Sequence, residues 1–146
     1  MKKNTTILFF LLCIRASAQV NDSPALFLDT FRAAIFQADS SQPVPLPGEE
    51  ISKAEKIFLE TISSTSLLKK IRLKDYHFQL GPHLNLAGEK EVWINCFCSG
   101  IIEYFPDWKH RLFSRDMVDD GGQCFFEMTV NLVHKTHYKF GMNGFG

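Results

Sequence analysis

The stretch Val92-Trp-Ile-Asn-Cys-Phe-Cys98 decides how this chain folds. Val92, Ile94, Cys96 and Cys98 alternate with Trp93, Asn95 and Phe97, a period of two that belongs to a β-strand with one face turned to a core. Upstream, Tyr76, Phe78 and Leu80 alternate with His77 and Gln79, and Ala87-Gly88-Glu89 offers a turn between the runs, so the two together read as a hairpin. Downstream, Asp119-Asp-Gly-Gly-Gln123 supplies residues that tolerate the backbone of a tight turn. A weaker strand is expected from Phe113 to Val118, then CFFEMTVNLV, a turn at His134-Lys-Thr-His137, and a last strand in YKFGMNGF.

Before the hairpin the period is helical. Ser23-Pro24 suits a helix start, with Ser as cap and Pro at the first position, where its missing N–H costs nothing. Leu26, Phe27, Thr30, Phe31, Ala34, Ile35 and Ala38 then recur at three-to-four spacing. Pro43, Pro45 and Pro47 interrupt that helix. A second is expected from about Glu49, with acids in its first turn and Ile51, Ala54, Ile57, Phe58, Thr61 and Ile62 on one side, fraying near Ser63-Ser64. The fold class expected is therefore α+β, with two N-terminal helices packed on one face of a four- to five-stranded antiparallel sheet.

Residues 1–18 have the make-up of a leader: Lys2 and Lys3, the apolar run ILFFLLCI, and Ala16-Ser17-Ala18 before an expected cut at Gln19. The run is shorter than the roughly 18 apolar residues of a membrane span, so no stable membrane anchor is expected. Residues 19–146 are expected to form a single domain that is exported, periplasmic or extracellular. The whole chain has 16 basic and 16 acidic residues; loss of Lys2, Lys3 and Arg15 with the leader leaves a net charge of −3. Such a balance lacks the basic footprint of a nucleic-acid binder.

Cys96 and Cys98 lie two apart on one strand, so both point to one face, and Cys124 can meet them from a neighbouring strand. Export favours a disulfide from Cys124 to Cys96 or Cys98; the alternative is buried thiols that act as small hydrophobes. A bond between Cys96 and Cys98 themselves is disfavoured by the reach of extended i and i+2 positions. Their spacing does not suit zinc, and Asp116, Asp119 and Asp120 lack the ligand series of a calcium loop. No metal and no cofactor is assigned.

WINCFC, then DW, DDGGQCFFEMTVNL and a closing MNGFG, preceded by EEISKAEKIFLE, resemble a pattern in small exported bacterial proteins that carry no assigned activity. In outline the layout is also similar to cystatin-like and PepSY-like domains, which mostly bind proteins. The resemblance implies an exported two-layer domain and carries over no catalytic residue.

The face of the sheet away from the helices collects His77, Trp93, Asn95, Phe97, Phe125, Glu127 and Asn131. Aromatic rings mixed with amides suit recognition of a protein or of sugar rings; alternatively, loop residues including Phe105 and Trp108 fold over the face and bury it. The first functional expectation is an exported binding module that uses this exposed aromatic-polar face. The second is a small hydrolase or ligand-binding enzyme in which His77 and Glu127 converge in a concave sheet.

Overall fold

The computed structural model describes residues 25–37, 42–66, 71–112 and 121–142. The expected leader, the helix start at Ser23-Pro24 and the strand expected from Phe113 to Val118 lie outside them. In chain order the elements are β1 (Ala33–Ile35), α1 (Gly48–Ser64), β2 (Tyr76–Leu84), β3 (Lys90–Cys98), β4 (Phe125–Asn131) and β5 (Thr136–Met142). The strands form one sheet in the order β1-β2-β3-β4-β5. β1 runs parallel to β2, and every other pair is antiparallel.

The expectation of two helices on an antiparallel sheet is corrected on both counts: the described residues hold one α-helix, and the sheet is mixed. The segment that carried the first helical pattern is instead a turn followed by a short edge strand. Asp29 starts the departure, its side chain accepting from the Phe31 N–H at 2.9 Å, a local bond that competes with the helical ladder. Glu55 of α1 completes it by accepting from the backbone N–H groups of Leu26 at 2.9 Å and Phe27 at 3.0 Å. Freed from a helix, the chain extends beside β2, with Phe78 N–H donating to the Arg32 carbonyl and Phe36 N–H to that of Leu80. Of the apolar set that suggested a helix, Phe27 enters the core, whereas Phe31 stays 80 % exposed.

α1 starts where the sequence places it. Pro47 sits just before it in an extended conformation, and Glu49 and Glu50 lie in its first turn, where carboxylates suit the positive end of the helix. Its buried stripe of Ile51, Ala54, Ile57, Phe58 and Ile62 packs on the sheet face formed by Phe78, Leu80, Val92, Ile94, Cys96, Phe126, Met128 and Val130. Phe58 is the keystone of this layer: its ring centroid lies 5.1 Å from Phe27, 5.8 Å from Phe78 and 6.2 Å from Phe126.

The β2–β3 turn shows why glycine is needed at one place. Asn85 Oδ1 accepts from the N–H groups of Ala87 and Glu89, and Gly88 closes the turn at φ +79°, a conformation costly for other residues. The pairing that follows sets Phe78 opposite Cys96 and Cys96 opposite Phe126. All residues of that register parity therefore face α1, and all of the other parity face away.

Candidate binding face

On the face away from α1, the register arranges side chains in rows across the strands. His77, Phe97 and Phe125 make one row; Gln79, Asn95 and Glu127 the next; Gly81, Trp93 and Thr129 the third, with Tyr138 beyond; and Pro82's neighbour His83 leads the fourth, with Glu91 and Asn131. All seven residues expected on this face are on it. Their environments differ sharply.

The exposure expected of the face does not hold at its aromatic end. Phe97 is 0 % and Phe125 1 % exposed, because the segment from Ser99 to Leu112 folds over them and seats Trp108, Phe105, Ile101 and Ile102 against their rings. Gln79 fixes this cover: its side-chain amide donates to the carbonyls of Trp108 at 2.7 Å and Arg111 at 2.8 Å, while its oxygen accepts from Asn95 at 3.1 Å. Asn95 is thus a buried structural link. His77 packs edge-on to Trp108, with centroids 4.9 Å apart, and its Nδ1 is buried without a hydrogen-bond partner among the described residues. Burial, and secondarily the charge of Arg32, holds its pKa below the ordinary histidine value.

Glu91 and Glu89 form the opposite end. Glu91, 3 % exposed, accepts from Asn85 at 2.9 Å, Asn131 at 3.0 Å and the Tyr138 hydroxyl, with His83 Nε2 3.3 Å away. Burial alone would raise its pKa, but these hydrogen bonds outweigh burial and keep it lowered. Glu89 accepts from Asn131, Asn85 and His134, which lower its pKa too. Asn131, expected on a recognition surface, therefore bridges two carboxylates and is 5 % exposed.

Between these ends the face stays open. Trp93 is half-buried, and its indole N–H donates to Glu127 Oε2 at 3.1 Å. The ring runs alongside Gly81, where a Cβ would come within 3.3 Å of Trp93 Cε3. Beside this pair a pocket of about 270 Å³ opens, lined by Phe36, Gln37, Gly81, His83, Trp93 and Leu112. The acid–base pair expected of the enzyme reading is not assembled here. His77 lies on β2 and Glu127 on β4, in different rows with β3 between them, so about 10 Å of sheet separates their strands.

The disulfide joins Cys98 to Cys124, and among the described residues Cys96 is the remaining thiol. Cys96 lies in the core and is 0 % exposed; burial pushes its pKa well above the usual thiol range, which suits a packing residue and not a nucleophile.

No family model, curated protein or solved structure matches the chain. Among the described residues no helix is long and apolar enough to cross a membrane. The site therefore rests on its own geometry. Phe36, Gln37, Gly81, His83 and Leu112 are its residues that sequence reasoning did not single out. Gly81 carried a usable signal, since glycine inside a strand marks a close approach or a gap. Phe36 was hidden inside the helical reading, and nothing in the sequence sends Leu112 to β2.

Proposed function

We propose that this protein is an exported single-domain binding module that holds a side chain or short apolar group of its ligand in the pocket beside Trp93. The single observation that carries the reading is the Trp93–Gly81 pair, an indole fixed by Glu127 and packed against Gly81, with an open apolar pocket beside it. Interface anchors are commonly aromatic rings beside preformed apolar pockets with few polar groups. The volume, below the roughly 300 to 1,000 Å³ of pockets that enclose whole small molecules, favours one inserted group from a larger partner. Export is supported by the leader-like residues 1–18 and by the Cys98–Cys124 bond, which persists in oxidising compartments. The resemblance to small exported proteins agrees with this reading.

The test is partner capture from the protein's own exported fraction by wild type, Trp93→Ala and Gly81→Val, with cross-linking to the pocket. Trp93→Ala is expected to abolish capture while the circular dichroism spectrum stays native, because the ring is half-buried and outside the α1 core. Capture that survives both substitutions would sink the proposal.

A further inference from the structure

The Trp93 ring that lines the pocket is held at its N–H by a carboxylate. Glu127 spends one carboxylate oxygen on the Trp93 N–H, and no described residue donates a hydrogen bond to the other. An indole whose N–H donates to a carboxylate has extra electron density on its faces, and a fixed negative charge lies beside it. Both attract a cation.

The molecule repeats this chemistry two strands away. Tyr138 donates its hydroxyl proton to Glu91, and Lys139 Nζ lies over the Tyr138 ring, 5.6 Å from its centroid. Lys109 Nζ likewise lies 5.6 Å from the Trp108 centroid and 5.6 Å from that of Phe31. Among the described residues no Lys or Arg lies over Trp93, the aromatic ring with the same donor-to-carboxylate arrangement as Tyr138. The pocket walls of Phe36, Gly81 and Leu112 then offer an apolar channel leading to that ring, the shape needed by an alkyl stem that ends in a charge.

We infer that the group the pocket takes is an arginine or lysine side chain of a protein partner, its stem against Phe36 and Leu112 and its cation between the Trp93 face and Glu127. This inference rests on the proposed pocket and adds the chemistry of its occupant. A neutral apolar side chain would leave the second Glu127 oxygen without a partner, whereas a guanidinium supplies both a planar face for the indole and donors for the carboxylate.

The experiment titrates the full oxidised chain with three peptides, acetyl-Gly-Arg-Gly-amide and its citrulline and norleucine counterparts, and follows the Trp93 indole N–H by NMR. Citrulline keeps the shape of arginine without its charge. The expected result is that the arginine peptide binds at least about tenfold more tightly than the citrulline peptide, and that Glu127→Gln, which keeps an acceptor for the indole, removes this advantage. Equal binding of all three peptides would overturn the cation assignment and leave the pocket standing. No movement of the Trp93 signal with any peptide would remove both. An arginine preference that persists in Glu127→Gln would also overturn the site as drawn here.

Discussion

Glu55 is only 8 % exposed, and its two oxygens take the N–H groups of Leu26 and Phe27. It does for the N-terminal segment what a helix cap does for a helix: it satisfies backbone donors that have no strand or helix partner. Removing it leaves a buried N–H at Phe27 and a part-buried one at Leu26 without that acceptor. Glu55→Ala is expected to lower stability by about 3 kcal/mol, measured by urea unfolding, and Glu55→Gln by roughly half of that, because one acceptor survives. Spectroscopically the loss should appear first at Phe27, whose ring leans on Phe58 and Phe78 at 5.1 Å each. Nothing local in the sequence announces this role. The carboxylate acts 28 residues from Phe27, and a glutamate on the buried side of a helix reads from sequence as a break in an apolar stripe.

Among the elements, the hairpin of β2 and β3 and the helix α1 were legible because their signals are local and agree. Alternation in Tyr76–Leu80 and Val92–Cys98, the turn residues Ala87-Gly88-Glu89, and the proline and acids before Ile51 each point to one answer. The segment from Leu26 to Ile35 was not legible, since its apolar spacing suits a helix and its real conformation depends on Asp29, Glu55 and a free edge of β2. The candidate site divides in the same way. Trp93 and Glu127 could be assigned to one face by parity, but the cover over Phe97 and Phe125 comes from a loop that has no period at all. Gln79 holds that loop, which makes the cover separable from the sheet. Gln79→Leu is expected to cost about 2 kcal/mol and to speed hydrogen exchange at residues 99–112, while amides of β3 and β4 keep their protection. Uniform loss of protection across the sheet would contradict a separable cover.

For the whole molecule, the titrating groups place stability in a defined pH window. His77 has its pKa lowered by burial and by Arg32, below the ordinary 6.5, so the unfolded chain binds a proton that the folded one refuses, and stability falls as pH drops below about 6.5. Glu89 and Glu91 act on the same side and lower down. Their pKa values are lowered from 4.5, so their contribution is present above that value and is lost as pH falls through the folded ones. Tyr138, whose pKa burial and Glu91 push up to about 12, contributes stability that begins to fade above about 10 and is gone once pH passes the folded value. The expected profile is a plateau from about pH 7 to 10 with an acid limb in two steps. His77→Phe, an aromatic replacement between Phe97 and Trp108, should flatten the first step and leave the second, as read from thermal melts at half-unit pH intervals. A first step that survives in His77→Phe would assign it to another group.

The bond between Cys98 and Cys124 joins the last residue of β3 to the residue just before β4. Everything strung between them is a bead on a closed ring, and the sheet holds that ring at its clasp. A single peptide cut anywhere between the two cysteines leaves one molecule of unchanged mass but for a water, with both strands still side by side. The covering segment can thus change in length or sequence while the clasp still holds the ends of β3 and β4 together.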